Sequence, residues 1–432
     1  MTTTAHPVLE GSPFGGYVYA YPHKTAYRPL PPRSLSDVWA AEPRDHLFLY
    51  VHIPFCAMRC GFCNLFTTAN PAGSLVPLYL DALRRQAEAT RAALPDARFA
   101  RLAIGGGTPT YLDERGLDEL FDITDRLTDG VVVPSAVETS PDTLTPGKVD
   151  LLADRGVRRV SLGVQSFIDA EVRASGRPQT RAEVDAALGL LRGRFPVLNI
   201  DLMYGLPGQA VDSWLYSIRT AVEWGADELY LYPLYVRPLT GLGNSAKRGD
   251  DLRVSCYREG RALLLTEGYE QVSMRMFRKR GRGEGGPLYC CQEDGMVGLG
   301  SGARSYTRGL HYSFEYAVAV GGVKAILADY LTRDLTVADY GFELDADEQR
   351  RRYLLQSLLN ADGLDAARYA ARFGTDPAAD FPDLRTFRDL GVLEYNHPRW
   401  VPTPLGLERS DALGPWFFSD HVWTLTAEYT PR

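Results

Sequence analysis

The sequence predicts a parallel α/β fold. An open partial barrel of about six βα units carries an extended N-terminal arm and ends in a small α+β domain. Three observations predict it. Between about residues 46 and 240, short apolar runs alternate with amphipathic stretches of helical period. The number of such pairs, about six, suits a (β/α)6 partial barrel better than a closed eightfold one. Near residue 343 the pattern gives way to a charged helix, then a helix, a turn and a ribbon.

Residues 1–45 form the arm. Pro, Tyr and Gly dominate it (G-S-P-F-G-G-Y-V-Y-A-Y-P), and it is expected to pack through its aromatics rather than as a domain. The barrel spans 46–342. L-F-L-Y-V-H-I, from Leu47, reads as a buried strand, and V-P-L-Y-L-D-A-L-R-R-Q-A-E-A-T-R after it has a helical period. F-A-R-L-A-I-G-G-G-T-P-T is a strand running into a glycine loop. T-P-G-K-V-D-L-L-A-D-R-G is a short helix, with Thr145 as N-cap, Pro146 in the first turn and Gly156 at the stop. R-V-S-L-G-V-Q-S-F, L-N-I-D-L-M-Y-G-L and E-L-Y-L-Y-P-L-Y are further strands, and Cys256 falls in a helical stretch as a core residue. Residues 278–288 lack apolar periodicity and are expected to be a mobile loop whose basic residues form a solvated face. Residues 343–432 resemble a winged helix: D-A-D-E-Q-R-R-R-Y-L-L is a capped helix, followed by helix, turn and β-ribbon.

At 432 residues, with 45% hydrophobic and 23% charged residues, the chain has the composition of a globular protein with one large and one smaller unit. A net charge of −7 argues against nucleic acid as a partner, and the C-terminal domain is expected to cover the barrel instead. No signal peptide is apparent, and no apolar run approaches the ~18 residues of a membrane span. The expected location is cytoplasmic, where thiols stay reduced.

Three of the six cysteines fall within eight residues, C-A-M-R-C-G-F-C, at Cys56, Cys60 and Cys63. Structural zinc uses four ligands, usually in two separated pairs, and a disulfide would use only two of these three. Iron–sulfur clusters take Cys thiolates, usually four per [4Fe–4S]. Three on one short loop leave one iron for a small-molecule ligand. Downstream, G-G-G-T-P-T (Gly105 to Thr110) lets backbone approach a ligand closely. Glu138 ends a strand, on the face where such barrels place function, and its carboxylate suits two ribose hydroxyls. Gln165 and Asp201 interrupt apolar strands and need partners, either in neighbouring strands or in a ligand.

With these motifs on one chain, the sequence resembles the radical S-adenosylmethionine (SAM) superfamily. The segments Y-V-H-I-P-F-C, G-G-G-T-P, S-L-G-V-Q-S-F and N-I-D-L-M-Y-G-L-P resemble its oxygen-independent coproporphyrinogen III oxidase-like (HemN/HemW-like) branch. The resemblance implies a [4Fe–4S] cluster on Cys56, Cys60 and Cys63, whose open iron binds SAM and cleaves it reductively to a 5′-deoxyadenosyl radical. Tyr50, Gly106 and Glu138 would hold that SAM, with the Gly105–Gly107 loop at its methionine. Phe62, Gly107, Thr108, Gln165, Arg177 and Asp201 match positions that line a second SAM. The implied partners are a small-molecule substrate, porphyrinogen or other metabolite, and a flavodoxin- or ferredoxin-type electron donor.

Two departures bear on the reaction. HemN carries a further Cys two residues after the triad, where this chain has Leu65. HemW carries H-N-x-x-Y-W before its G-x-G-x-G-A segment; here G-P-L-Y-C-C (Gly286 to Cys291) precedes V-G-L-G-S-G-A-R. Decarboxylation of a porphyrinogen, methyl transfer through a second SAM, another C–H functionalisation and heme carriage without catalysis all stay open. Cys290 and Cys291 are candidate catalytic thiols, or core filler. Tyr235 and Arg237, at a strand's C-terminal end, are candidates for binding an aromatic or carboxylated substrate, or ordinary packing. M-R-M-F-R-K (Met274 to Lys279) either lines that pocket or is core.

Overall fold

The computed structural model describes residues 6–243, 251–283 and 290–430. Six parallel strands form its centre: β1 (Leu47–Ile53), β2 (Phe99–Gly106), β3 (Ser135–Thr139), β4 (Val157–Gln165), β5 (Val197–Tyr204) and β6 (Glu228–Pro233). The helices α1 (Leu75–Ala93), α2 (Glu114–Thr128), α3 (Pro146–Asp154), α4 (Arg181–Leu191), α5 (Val211–Glu223) and α6 (Arg253–Thr266) follow them in turn. The partial (β/α)6 barrel read from the sequence is therefore the observed architecture. Local signals explain its boundaries. Asp113 caps α2 by accepting from Gly116 N–H at 2.8 Å, and Thr145 caps α3 by accepting from Lys148 N–H at 3.2 Å. Thr180 and Glu183 form a reciprocal capping box on α4.

Strand alternation divides the two faces of the sheet. Leu47, Leu49, Val51 and Ile53 of β1, and Val160, Leu162 and Val164 of β4, are at most 1% exposed beneath the helices. The intervening positions carry Tyr50 and His52 on β1, Ser161, Gly163 and Gln165 on β4, and Asn199, Asp201 and Met203 on β5. A barrel lined this way has an apolar outer layer and a polar inner wall.

Among the described residues the sheet holds 13 strands. Met296–Leu299 adds in parallel to β1, and antiparallel strands then extend the sheet to the arm segment Arg28–Ser34 at its edge. That arm strand is R-P-L-P-P-R-S, and three prolines fit an edge, where missing N–H donors cost little. The arm is thus part of the sheet. Beyond β6 lie Met276–Lys279 and Tyr269–Gln271. This corrects the expected loop at its start: Arg278 and Lys279 end a strand, and Arg278 pairs with buried Glu228 at 2.9 Å. Residues 284–288 of that expectation lie outside the described residues. Cys256 is buried on α6, and Met274, Met276 and Phe277 are core.

The C-terminal region has its own core and a three-stranded sheet, with helix Ala346–Leu358 capped by Asp345 and helix Asp383–Asp389 before the ribbon Leu393–Asn396/Arg399–Pro402. Val8, Tyr21, Ala26 and Tyr27 of the arm belong to this core. Among the described residues no helix is long and apolar enough to cross a membrane.

Candidate cluster and cofactor site

The three-cysteine loop leaves the C-terminal end of β1. Phe55–Cys56 pairs with Thr68–Ala69 and closes the loop at its base, with Asn70 N–H donating to Cys56 C=O at 3.0 Å. Its tip is held by two distant loops: Gly61 N–H donates to Ser175 C=O at 3.1 Å, and Leu242 N–H donates to Gly61 C=O at 2.8 Å. A Cβ at Gly61 would stand 2.6 Å from the Ser175 carbonyl oxygen, so this position admits only glycine without movement. The sequence reading passed over Gly61; the tight spacing of the motif is its only local signal.

Cys56, Cys60 and Cys63 are free thiols that border one cavity of about 540 Å³. Each has a polar neighbour. Thr108 Oγ1 lies 3.7 Å from Cys56 Sγ, Arg177 Nη1 3.7 Å from Cys60 Sγ, and Thr67 Oγ1 3.9 Å from Cys63 Sγ. Burial pushes the Cys56 thiol up to about 12 and raises Cys60 as well, so their thiolates need a cationic partner such as iron. No group of three or more His, Cys, Asp or Glu among the described residues is arranged to hold a single metal ion. A cluster spreads its ligands wider than one ion does. Room is also reserved: a Cβ at Gly107 would fall 2.8 Å from Cys56 Sγ. The residues therefore fit a cluster held by three thiolates.

The glycine loop is crowded on every side. Gly106 has φ +119°, a region L side chains rarely adopt, and a Cβ there would meet the His52 ring. Gly105 makes room for Glu138, whose carboxylate would lie 2.7 Å from a Cβ at 105. Glu138 in turn accepts from Gly106 N–H at 3.0 Å. Glu138 is exposed by surface area, but it lines the cavity beneath the strand ends, and the protein surrounding it there governs its proton. Burial pushes its carboxyl up to about 7, opposed by the Gly106 hydrogen bond. Tyr50, beside it, contacts His52 Nδ1 at 3.3 Å.

Gln165, Arg177 and Asp201 come together in the same cavity with Phe62 and Thr108. The register between β4 and β5 slips between Gly163 and Gln165, and Gln165 takes φ +69°. A non-glycine residue in that conformation costs about 1–2 kcal/mol, and here it turns the side chain into the cavity. Arg177 bridges segments: it donates to Gly163 C=O at 2.8 Å and Ser140 Oγ at 3.0 Å besides approaching Cys60. Asp201 accepts from Asn199 of its own strand at 2.7 Å and from Ser161 of the neighbouring strand at 3.3 Å, while burial raises its carboxyl.

A larger cavity of about 1000 Å³ adjoins the first and shares Asn64, Leu65, Gly106 and Glu138 with it. Arg237 and Cys291 border it. Tyr235 borders the smaller one, and its hydroxyl bonds to Asp411 and, at 2.9 Å, to Arg275. Cys291 Sγ lies 3.6 Å from Gln356 Oε1, and burial pushes its thiol up to about 11. Cys290 is turned elsewhere: it borders neither cavity, and its N–H donates to Asp294 at 2.7 Å. The sequence reading missed the arm residues Tyr17, Tyr19 and Lys24 and the C-terminal residues Phe418, Trp423 and Tyr429 on this wall. The run Y-V-Y-A-Y-P was the only sign of Tyr17 and Tyr19, and it reads equally as packing.

A partial barrel with three thiols on the loop after its first strand, a glycine run at the end of its second and a carboxylate on its third defines the class. Residues 50–221 match the Radical SAM superfamily and residues 344–408 the HemN C-terminal domain. The heme chaperone HemW of Bacillus subtilis is 30% identical over 367 residues, covering 80% of this chain and 92% of that protein. The oxygen-independent coproporphyrinogen III oxidase of Cereibacter sphaeroides is 26% identical over 403 residues, covering 85% and 87%. The structure of HemN from Escherichia coli superposes with a TM-score of 0.75 at 21% identity, over 96% of this chain and 98% of that one, a likeness of fold. The chain belongs to the radical SAM superfamily, in its HemN/HemW-like branch.

Proposed function

We propose that the protein is a catalytic radical SAM enzyme acting on a small molecule held in the larger cavity. The observation that carries this reading is the convergence of Cys56, Cys60 and Cys63 on a cavity that also holds Gly106, Glu138, Arg177 and Asp201. Cys56, Cys60 and Cys63 would hold a [4Fe–4S] cluster. With SAM bound, that group supplies reductive cleavage and a hydrogen-abstracting radical. The chain's own part is to position and shield. Thr108, Arg177 and Thr67 orient the thiolates, and Arg177 sets charge beside Cys60. Glu138 offers oxygens to ribose hydroxyls, and the Gly106 region offers backbone to the methionine end. Arm and C-terminal aromatics line the larger cavity and give it an apolar wall.

The test is anaerobic incubation of the reconstituted protein with SAM and a reductant. Formation of 5′-deoxyadenosine supports the reading. Tight stoichiometric heme binding with no SAM cleavage would instead favour the carrier reading, which the HemW relatives motivate. The placement of Phe62, Gln165, Arg177 and Asp201 beside the thiols supports a second SAM and hence methyl transfer. Formation of S-adenosylhomocysteine is its signature.

A further inference from the structure

The two cavities meet at the stretch that follows the last cluster thiol. Asn64 and Leu65 border both, and Phe66 borders the larger. This partition belongs to no helix or strand. Its far end is fixed: Phe66 is 3% exposed, and its C=O accepts from His52 Nε2 at 2.9 Å. Its near end is fixed as well. Cys63 N–H donates to Cys60 C=O at 3.0 Å, and Arg59 Nη2 donates to Cys63 C=O at 3.3 Å. The middle has less support. Leu65 is 48% exposed, and among the described residues Asn64 and Leu65 share one hydrogen bond, in which Asn64 C=O accepts from Tyr316 Oη at 2.6 Å.

Tyr316 stands outside the βα units of the barrel, between the strand Leu310–Ser313 and the helix Val320–Tyr330. Its backbone C=O accepts from Tyr429 Oη at 3.1 Å, and the two rings stack with centroids 6.3 Å apart. Lys24 Nζ lies 3.4 Å from the centre of the Tyr316 ring. Tyr429 follows the helix Asp420–Glu428, and that helix is tied to the arm. Arg28 Nη2 donates to Leu425 C=O at 2.6 Å, and Thr25 Oγ1 lies 3.5 Å from Thr426 Oγ1. Contacts therefore run from the arm and the C-terminal helix through Tyr429 and Tyr316 to Asn64, the residue after Cys63. A backbone segment with a single anchor gains conformational freedom when that anchor is lost, and its neighbours loosen with it.

We propose that Tyr316 is a positioning residue for the cluster site, its hydroxyl holding Asn64 and Leu65 as the partition between the two cavities. Tyr429 holds Tyr316 in turn, so docking of the C-terminal helix sets the partition. The Tyr316 ring also borders the larger cavity, where a bound small molecule would meet it. The larger cavity thus has a connection to the cluster loop that bypasses the barrel strands. This rests on Cys56, Cys60 and Cys63 as cluster ligands, yet one arm of its test needs no cluster.

Tyr316→Phe keeps the ring and its stacking and removes only the hydroxyl; Tyr429→Phe does the same one step away. In the reconstituted full chain, the rate at which the chelator ferrozine strips iron should rise roughly twofold to tenfold in each variant, the worth of one hydrogen bond. The SAM-induced change in the electron paramagnetic resonance signal of the reduced cluster should differ from that of the unmodified chain in both. The urea midpoint should stay near its original value, which shows that the variants are folded. The double variant should match Tyr316→Phe alone, because Tyr429 acts through Tyr316. An unchanged iron-release rate in Tyr316→Phe overturns the proposal, as does a double variant whose effects add in full. In the iron-free chain, alkylation of Cys63 by iodoacetamide, read by peptide mass spectrometry, should accelerate in the same variants while buried Cys256 stays unlabelled. A chain that loads no iron yet shows this acceleration counts against the cluster reading alone, and one that shows neither overturns the proposal.

Discussion

The two cavities are built in opposite ways. The smaller one draws its groups from loops and strand ends of the barrel, in chain order: Cys56 to Cys63 after β1, Gly106 to Thr108 after β2, Glu138 on β3, Gln165 on β4 and Asp201 on β5. The larger one adds to barrel positions such as Tyr50, His52, Gly106 and Glu138 four stretches far apart in sequence, around residues 15–25, 291–318, 352–356 and 411–429. In the first, each strand delivers one short motif to the same end of a parallel sheet. In the second, the wall is completed only when the arm and the C-terminal region have packed onto the barrel. The wall of the smaller cavity is local and repetitive; that of the larger is a product of tertiary assembly.

Substitutions can separate the two. The largest effect should come from Cys60→Ala, which removes one of three ligands. Iron content should fall from about four per chain to near none, with 5′-deoxyadenosine formation lost. Retained iron would sink the ligand assignment. Next is Asp411→Ala, which leaves Arg275 buried without its partner; the pair is 1% and 7% exposed. Breaking such a pair costs about 3–5 kcal/mol, read as a lower urea midpoint. Neither residue borders the cavity that holds the thiols, so iron loading in the cold should hold. Loss of iron there would show that the two cavities are not separable.

Gly61→Ala probes the cluster loop from its backbone. With the Ser175 carbonyl 2.6 Å from the new methyl, overpacking of about 1–3 kcal/mol should appear as a lowered melting point and reduced iron loading. Glu138 predicts a pH effect. Its carboxyl is raised to about 7, so the carboxylate needed by ribose hydroxyls is lost as pH falls through that value. SAM affinity should drop about tenfold between pH 8 and pH 6, and Glu138→Gln should flatten the profile. A flat profile in the unmodified chain would remove Glu138 from the ribose contact. The smallest effect belongs to Cys290→Ala. Because this thiol borders neither cavity, 5′-deoxyadenosine formation should stay within about twofold. A larger loss would restore Cys290 as a catalytic candidate.

The barrel was legible because its signals are local. Apolar positions alternate along β1 and β4, Thr145 and Pro146 open α3, and a run of three glycines ends β2, each pattern enforced by backbone geometry within a few residues. The strand Arg28–Ser34 was not legible. Three prolines argue against a strand in general, and only the edge of a finished sheet makes them acceptable. The turn that aims Gln165 inward was hidden too, since a register slip belongs to two strands at once.

Cys56, Cys60, Cys63, the Gly105–Gly107 run and Glu138 could be singled out from the sequence alone, because chemistry at close quarters demands particular residue types at short spacings. Which of the adjacent cysteines faces a cavity, and that Lys24 and Arg304 border one cavity across some 280 positions of chain, only the tertiary structure decided. Burial of the arm's Tyr21 and Tyr27 in the C-terminal core brings those cations together, and nothing in the local pattern of either segment encodes that contact.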